Sequence, residues 1–577
     1  MIRLLRFLKD YKKESLFGPL FKLLEAALEL FVPLAVASLI DVGIAGEDTG
    51  YIFRMFAYLI LLGVVGLFFS VTAQYFAAKA AVGFVKKIRQ ALFAHMEGLS
   101  YTEIDRLGTS QMVTRMTSDV NQVQAGMNLT LRLLLRSPFV VAGAFLMAWQ
   151  IDSKVAALFG LTILVLIVIV FGIMFLTIPL YRRVQQKVDR VLAATRENLA
   201  GVRVIRAFGM EEEERRNFAK KQGELTQAQL FVGRISSLLN PLSYVVINIG
   251  IALMIWKGAL QVEAGVLTQG AVVALYNYMA QILEELIKLA NMIINLTKAV
   301  ACGNRIQDAF EMKSSQSYPQ ETMGEADPKA PQVVFENVSL KYSTGGEEAL
   351  MNISFSVNRG MTVGIIGGTG SGKTSLANLI PRFYDATKGR ILIDGLEVSC
   401  YSKKELLRKI AVVPQQAILV KGSIRENLRW GKSDANDQEL WEALAIAQAK
   451  ELVEQKEGGL DFEVAQKGRN LSGGQKQRLT IARALVKKAD ILILDDSSSA
   501  LDYATDAALR KALLKMEDRP TIFLISQRTV SIQHADLILV LEDGELVGMG
   551  THKELLEDCR VYEEIFTSQF KKEGTAS

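Results

Sequence analysis

A glycine-rich run between a predicted strand and a predicted helix is the strongest chemical signal in the sequence. The run GGTGSGKT at residues 367–374 follows the apolar segment TVGII and precedes the helical segment SLANLIPRF. Glycines let backbone N–H groups face phosphate oxygens, and the N-terminus of the following helix adds a favourable dipole. Lys373 is expected to neutralise β- and γ-phosphates, and the Thr374 hydroxyl to ligate Mg²⁺. The expected nucleotide-binding residues of this loop are Gly367, Gly368, Thr369, Gly370, Ser371, Gly372, Lys373, Thr374 and Ser375.

An apolar strand that ends in two acidic residues supplies the second expected part of a nucleotide site. Residues 491–494 are all aliphatic and run directly into Asp495 and Asp496. Asp495 is expected to hold Mg²⁺ through water, and Asp496 to face the water that attacks the γ-phosphate. This pattern is weak by itself, but it becomes strong downstream of a phosphate loop. The two elements together predict ATP and Mg²⁺ as ligands.

A third motif, LSGGQ, lies between the first two and is followed by KQRLTIARAL. This motif is identified as the signature of the ATP-binding cassette (ABC) family. The membrane half resembles the exporter type of that family (type IV, six spans) through ENLAGVRVIRAF and MTSDVNQV, so the resemblance covers nearly the whole chain. In the family, the signature contacts the ATP held by a second cassette's phosphate loop. The residues that match it here are Leu471, Ser472, Gly473, Gly474 and Gln475.

The resemblance also implies roles for three residues outside these motifs. Tyr342 matches the aromatic residue that stacks on adenine, and Gln415, in AVVPQQ, matches the residue that touches Mg²⁺ and the membrane domain. Asp502, which ends SALD, matches a loop at the interface between two cassettes. ATP binding and hydrolysis in such a pair drive a two-state equilibrium of the membrane helices. The implied function is export of hydrophobic or amphipathic compounds, drugs or lipids, from the cytoplasm.

The sequence departs from the family pattern at three places. Asp496 stands where the family has a catalytic glutamate, Gln527 stands where it has a switch histidine, and residues 464–468 read VAQKG in place of a segment close to VGERG. Aspartate is one methylene shorter than glutamate, and misplacing a catalytic group by about 1 Å can cost on the order of a hundredfold in rate. Glutamine can donate a hydrogen bond to a phosphate but cannot carry a proton. We therefore expect a degenerate site that binds ATP and hydrolyses it poorly.

An intact signature beside a degenerate site predicts a partner that is a different chain. That second half-transporter is expected to have Glu and His in place of Asp496 and Gln527, and an altered signature of its own. The alternative is a homodimer that hydrolyses ATP slowly with Asp496 and exports a narrow lipid or peptide substrate. Another alternative is a regulatory membrane protein gated by ATP. A soluble DNA-repair ATPase shares the signature motif, but the apolar spans exclude it.

Composition and hydropathy give the domain organisation. The chain has 577 residues, half of them hydrophobic, and a formal net charge of +5, which is too small to imply a nucleic-acid partner. The three cysteines lie far apart and show no metal-ligand spacing. We predict an α-helical membrane domain of the type 1 ABC exporter fold (residues 1–302), a linker (303–331) and an α/β P-loop NTPase domain (332–577). The predicted spans are 16–44, 52–78, 127–149, 155–180, 235–256 and 270–296, each long enough to cross a bilayer.

Charge in the connections predicts the topology. The connections after the second and fourth spans are long and rich in Lys and Arg, so the positive-inside rule places them and both termini in the cytoplasm. We expect these spans to continue as helices into the cytoplasm and to turn near residues 100–108 and 209–215, where a cytoplasmic domain could dock; the alternative is ordinary solvated loops. Residues 1–13 are expected to form an amphipathic helix on the cytoplasmic face. The layout favours a bacterial inner or plasma membrane.

Ionisable residues within the spans raise the question of substrate. Glu25 and Glu29 lie four residues apart on one helix face and could attract cationic, amphipathic compounds. The alternative is that these residues, together with those of the third and sixth spans, snorkel or form helix–helix pairs. Three residues of the sixth span could line the path or serve as packing contacts: Tyr276, Asn277 and Gln281.

Overall fold

The computed structural model describes residues 2–342, 346–497 and 499–570, and the chain divides into two compact units. The first, here called the helical unit, comprises Met1–Glu97 and Gly108–Met312; the second, the α/β unit, comprises Gly98–Leu107 and Lys313–Ser577. The α/β unit therefore includes a short segment from the predicted membrane domain. Met1 and residues 571–577, which end the predicted domains, lie outside the described residues.

The helical unit contains the six apolar helical segments that the sequence predicts. Each is long and apolar enough to span a membrane: Arg3–Ile44, Thr49–Glu97, Thr109–Ile151, Ser153–Ala200, Glu211–Glu263 and Gln269–Glu311. Their helices, numbered with the short insertion α3, are α1 (Lys12–Ser38), α2 (Thr49–Glu97), α3 (Tyr101–Leu107), α4 (Thr109–Thr114), α5 (Val120–Leu133), α6 (Arg136–Ile151), α7 (Ser153–Ala200), α8 (Val202–Ala207), α9 (Glu211–Ser237), α10 (Leu239–Glu263) and α11 (Gln269–Glu311). Two π-helical segments, Leu39–Ile44 and Arg115–Asp119, continue α1 and α4.

The long connections are helical, so the alternative of ordinary solvated loops is wrong. Helix α2 has 49 residues, which at 1.5 Å per residue gives roughly 73 Å, more than twice the thickness of a bilayer's hydrocarbon core. The first turn lies around α3, as predicted. The second lies earlier than predicted, because α8 and the following residues 208–210 form it and residues 211–215 already belong to α9.

The ends of the helical unit also differ in detail from the predictions. Ile2–Tyr11 forms a 3₁₀-helix, and Leu4 is buried in an apolar cluster with Phe84, Ile88 and Ile306. Helix α11 continues to Glu311, so residues 303–311, assigned to the linker by composition, are helical. The apolar positions that recur every three or four residues, ending in Ile306 and Ala309, keep this helix packed against the unit.

The α/β unit contains two main sheets. Its six-stranded sheet has the order β12-β11-β3-β10-β9-β6, in which β12 is antiparallel and the other strands are parallel. Two predicted strands, VVFENVSL and RILIDG, lie instead in an antiparallel sheet of order β2-β1-β4-β5. The strands are β1 (Val333–Leu340), β2 (Leu350–Val357), β3 (Thr362–Gly367), β4 (Lys388–Ile393), β5 (Leu396–Glu397), β6 (Ile410–Val413), β7 (Gly422–Ser423), β8 (Glu463–Val464), β9 (Ile491–Asp495), β10 (Thr521–Ile525), β11 (Leu537–Glu542) and β12 (Glu545–Gly550).

Apolar cores cover both faces of the six-stranded sheet. Along β9, Ile491 and Ile493 belong to one core, while Leu492 and Leu494 belong to the other. This alternation explains why β9 reads as a continuous aliphatic run in the sequence. The helices of the unit are α12 (Lys373–Leu379), α13 (Lys403–Lys409), α14 (Ile424–Arg429), α15 (Asp437–Ile446), α16 (Lys450–Glu454), α17 (Gly473–Val486), α18 (Tyr503–Leu514), α19 (Thr529–Ile532), α20 (His552–Asp558) and α21 (Arg560–Phe570).

Candidate functional site

The carboxyl ends of four neighbouring parallel strands gather most of the predicted nucleotide residues. Strands β3, β10, β9 and β6 lie side by side, and the functional residues follow directly after their last residues. Ligands of open α/β sheets bind at this edge. A cavity of about 270 Å³ lies there, lined by Ala349, Thr369, Gly370, Gly372, Lys373, Thr374, Ser375, Gln415, Asp495, Asp496, Ile525, Ser526 and Gln527.

The phosphate loop has the conformation that its glycines permit. Gly370 and Gly372 have φ angles of +90° and +93°, which L side chains rarely adopt. The Lys373 ammonium donates hydrogen bonds to the carbonyl oxygens of Gly367 (3.0 Å) and Gly368 and to the Ser371 hydroxyl (3.3 Å). Burial lowers the pKa of Lys373, and the two neighbouring aspartates oppose that effect. The loop therefore holds the buried Lys373 ammonium next to backbone N–H groups. This combination suits a bound phosphate.

The acidic pair after β9 faces this cation across the cavity. Asp495 is buried and accepts a hydrogen bond from the Thr374 hydroxyl at 3.3 Å. Burial raises the pKa of Asp495 and of Asp496, and hydrogen bonds together with the Lys373 ammonium only partly offset that effect. The carboxylates, the Thr374 hydroxyl and the Gln415 amide are oxygen donors of the kind that Mg²⁺ prefers. These residues fit a Mg²⁺ ion that would neutralise the acids and bind phosphate oxygens.

Asp496 and Gln527 face the same cavity at the two positions that depart from the family pattern. Asp496 has a φ of +44°, and its carboxylate is hydrogen-bonded to the Gln415 side chain. Gln527 follows β10 and has an exposed side chain. Neither residue can supply the longer carboxylate or the ionisable ring expected at its position. Both positions therefore lie in the cavity wall with side chains that differ from the family pattern.

Tyr342 lies beside the first helix after the loop. Its hydroxyl donates to the Ser375 hydroxyl at 2.9 Å, and its ring lies edge-on to the Tyr384 ring with centroids 4.9 Å apart. The ring is 43% exposed, so one side remains open to a planar ligand. Sequence reasoning missed Tyr384, and also Ala349, Ile525 and Ser526 in the cavity wall; only Ser526, which sits between β10 and Gln527, had a positional signal.

The signature lies apart from this cavity, which within the described residues is lined by none of its five members. Ser472 caps α17: its hydroxyl accepts from the Gln475 backbone N–H (3.3 Å), and the Gln475 side chain accepts from the Ser472 N–H (3.0 Å). Ser472 and Gly473 are exposed. Asp502 is likewise exposed and caps α18 by accepting from the Thr505 backbone N–H at 2.8 Å. Both helix starts are thus capped by side chains and exposed.

The carboxylates predicted along the substrate path are paired with cations. The Lys22 ammonium donates to the Glu25 carboxylate at 2.5 Å, and the Arg136 guanidinium donates to the Glu29 carboxylate at 2.6 Å. The Glu29 pair joins two helices and the Glu25 pair lies within α1, so both favour paired carboxylates over free carboxylates that attract cations. Of the three α11 residues, Tyr276 is exposed, Asn277 and Gln281 are half-buried, and the buried Gln281 Oε1 atom has no partner among the described residues.

Arg136 joins three spans through a network that the sequence did not reveal. Besides Glu29 of α1, it contacts Glu285 of α11, whose side chain is 3% exposed. Glu285 also accepts from the Ser137 hydroxyl at 2.7 Å and from the Lys288 ammonium at 3.0 Å. The network explains how so many charges persist within apolar helices, because each buried charge has an opposite or polar neighbour. The fold and site together define a multi-pass membrane protein that carries a P-loop nucleotide-binding domain.

Comparison with known proteins identifies the family. Residues 15–286 match the ABC transporter transmembrane region, and residues 350–499 match the ABC transporter family. The uncharacterized ABC transporter ATP-binding protein YfiB of Bacillus subtilis is 35% identical over 577 residues, which cover 100% of both chains. The ATP-dependent lipid A-core flippase of Hahella chejuensis is 30% identical over 582 residues, 98% of this chain and 99% of the flippase. The ATP-bound structure of a bacterial Atm1-family ABC exporter covers 97% of this chain and 98% of its own, with a TM-score of 0.80 and 23% identity.

The chain therefore belongs to the ABC transporter family, as a half-transporter with the exporter fold. Its α/β unit is the ATP-binding domain of a transport ATPase. The predicted fold class, six apolar helices followed by an α/β nucleotide-binding domain, is confirmed.

Proposed function

We propose that this chain is the degenerate-site subunit of a heterodimeric ABC exporter. Its own site binds ATP and Mg²⁺ but hydrolyses ATP poorly, and its signature completes the hydrolytic site of a different partner chain. The observation that carries the proposal is the contrast within the α/β unit. Asp496 is short and bonded to Gln415, with Gln527 beside the same cavity, whereas Ser472 and Gly473 are exposed at a well-capped helix start.

Within that site, Thr374, Gln415 and Asp495 are proposed to hold Mg²⁺, and Tyr342 to stack on adenine. Asp502 is proposed to lie in the interface with the second cassette, where its exposure leaves it accessible. The domains proposed are a membrane domain (1–302), a linker (303–331) and a nucleotide-binding domain (332–577). These bounds follow the order of the domains in the sequence. In the structure, α3 belongs to the α/β unit, although its residues lie within the proposed membrane domain.

The proposed substrates are hydrophobic or amphipathic compounds, either drugs or lipids, taken from the cytoplasm or inner leaflet. The similarity to a lipid A-core flippase over the full length supports a lipid-like cargo. The path is proposed to pass Tyr276, Asn277 and Gln281, because the unpartnered Gln281 carbonyl oxygen can accept a hydrogen bond from a headgroup. Glu29 keeps a half-exposed side chain, whereas Glu25, which is paired with Lys22, is mostly covered. The protein is proposed to lie in a bacterial cell membrane with both termini in the cytoplasm.

Co-purification from the native membrane tests the heterodimer. A tagged copy of this chain, extracted gently, is expected to bring down a second, similar polypeptide in equal amount. That polypeptide should have Glu and His where this chain has Asp496 and Gln527. A single polypeptide of dimeric mass would contradict the proposal and make Asp496 a slow but working catalytic residue.

Two substitutions in this one chain then separate its own site from its signature. Asp496→Asn should leave ATP turnover of the purified complex within about twofold, because the partner's glutamate performs hydrolysis. Gly473→Asp should abolish turnover, since a carboxylate at the signature repels the γ-phosphate by several kcal/mol. A Cβ at Gly223 of α9 meets open space, so Gly223→Asp adds the same carboxylate outside the signature and serves as the matched control, which should keep at least half the turnover. Equal loss in Asp496→Asn and Gly473→Asp would contradict a degenerate site.

A further inference from the structure

The short helix α3 is anchored to the α/β unit by aromatic and charged contacts. The Tyr101 ring lies 4.8 Å from the Phe383 ring, centroid to centroid. The Tyr384 hydroxyl donates to the Asp105 carboxylate at 2.6 Å. Between these two residues of α3, the buried Glu103 carboxylate accepts from the Ser100 and Ser315 hydroxyls. The helix is therefore held at several points, and only some of them lead toward the nucleotide.

Tyr384 contacts both α3 and Tyr342, on the proposed adenine side of the site. Its ring meets the Tyr342 ring edge-on, at 4.9 Å and an interplanar angle of 89°, while its hydroxyl is bonded to Asp105. Tyr342 in turn donates to Ser375, directly after the phosphate loop. A continuous chain of contacts thus runs from the loop through two tyrosine rings to a carboxylate on α3.

The hydrogen bond at the end of this chain is a strong one. Tyr384 is half-buried, and burial together with the Asp105 carboxylate raises the pKa of its hydroxyl. The hydroxyl therefore stays protonated throughout the physiological range and always donates. A donor on an ionised acceptor makes a charge-assisted bond about twice as strong as a neutral one. The Tyr101 ring contacts with Phe383 and Tyr384 lack this directionality, and they remain when the Tyr384 hydroxyl is removed.

We propose that Tyr384 is a positioning residue that couples occupation of the adenine site to the docking of α3. The proposal rests on the proposed role of Tyr342 in stacking on adenine. A base stacked on Tyr342 restrains that ring, the edge-to-face contact restrains Tyr384, and the restrained hydroxyl holds Asp105. Coupling of this kind is reciprocal, so a change at Asp105 must also alter ATP affinity. Tyr384 would act through its neighbours and not on the reacting phosphate.

Hydrogen exchange of residues 98–107 in the full complex, with ATP in EDTA to prevent hydrolysis, tests this coupling. In the wild type, ATP should slow exchange in this segment about tenfold, as expected for strengthening one charge-assisted hydrogen bond. Tyr384→Phe keeps the ring against Tyr342 and removes only the donor, so the ATP effect should disappear. Asp105→Ala should behave the same, and the double variant should be no worse than either single variant. Asp105→Asn, which keeps an acceptor, should restore part of the effect.

Tyr318→Phe is the matched control, because it also removes one tyrosine hydroxyl bond, to the Arg382 carbonyl oxygen. It should retain the full ATP effect. A normal ATP effect in Tyr384→Phe, or an equal loss in Tyr318→Phe, would overturn the proposal. ATP affinity of Tyr342→Ala is measured alongside: unchanged affinity would refute adenine stacking itself. None of these readouts depends on hydrolysis or on the partner's identity, so failure here is distinguishable from failure of the heterodimer.

Discussion

Replacing Arg136 by methionine should destabilise the helical unit, because it removes the buried cation that joins three spans. Breaking a buried ion pair by deleting one partner costs about 3–5 kcal/mol. Glu285 would keep the Ser137 hydroxyl at 2.7 Å and the Lys288 ammonium at 3.0 Å, and Glu29, with a side chain 45% exposed, can be hydrated. We therefore expect the lower end of that range, about 3 kcal/mol.

The measurement is the fraction of complex that stays monodisperse in detergent after heating. At about 2 °C per kcal/mol for a large unit, Arg136→Met should lower the apparent midpoint by about 6 °C. Lys288→Met is the control, because this lysine is 43% exposed and pairs with the same Glu285. Its loss should cost about 1 kcal/mol or less, hence no more than about 2 °C.

A second variant separates a broken pair from a general packing defect. Arg136→Met combined with Glu285→Met removes both buried charges, and replacing a buried ion pair by apolar side chains is often neutral or stabilising. The double variant should therefore recover most of the lost 6 °C or so. The reasoning is refuted if Arg136→Met behaves like Lys288→Met, or if the double variant is less stable than the single one.

The nucleotide site gives two further expectations. The first uses a complex whose partner glutamate is replaced by glutamine, so that only this chain's site can hydrolyse ATP. In that complex, Asp496→Glu with Gln527→His should raise ATP turnover, measured as phosphate release, by on the order of tenfold to a hundredfold. No gain would mean that other residues cause the weak hydrolysis. Burial raises the pKa of Asp495, so between the unfolded and folded pKa values the folded protein binds more protons, and nucleotide-free stability falls as pH rises through that window. Asp495→Asn should therefore stabilise the nucleotide-free protein by about 1 kcal/mol at neutral pH, and this gain should fade in acid. The same substitution should remove the stabilisation by Mg–ATP. Calorimetry across pH checks both effects, and a destabilised nucleotide-free variant would contradict the account.

The nucleotide motifs were predictable because their information is local. Lys373 and Thr374 follow a strand and open a helix, and Asp495 ends an aliphatic run, so a few adjacent residues indicate both structure and chemistry. The six spans were predictable for the same reason. The strands β1 and β4 were placed in the wrong sheet, because their runs resemble buried parallel strands and only the pairing partner shows the difference.

Contacts between distant residues could not be predicted in this way. Arg136 and Glu285 are 149 positions apart, and Asp105 and Tyr384 are 279 apart. Each pair depends on how whole helices pack, and no spacing rule in one sequence encodes that. The charged residues of the spans were visible in the sequence, but whether they bind a substrate or one another was decided only by tertiary structure. For Glu25 and Glu29 the structure shows pairing with Lys22 and Arg136.

A degenerate site and a tyrosine link to α3 have a joint consequence for the transport cycle. If this chain's site keeps its ATP because Asp496 hydrolyses it poorly, Tyr342 and Tyr384 stay restrained while the partner's site turns over. Docking of this chain's α3 should then remain constant during turnover, and movement should arise at the equivalent helix of the partner. Hydrogen exchange under Mg–ATP should accordingly show residues 98–107 as protected as with ATP in EDTA. Exchange that rises during turnover would mean that ATP leaves this site in each cycle, because only loss of the stacked base releases the ring that restrains Tyr384.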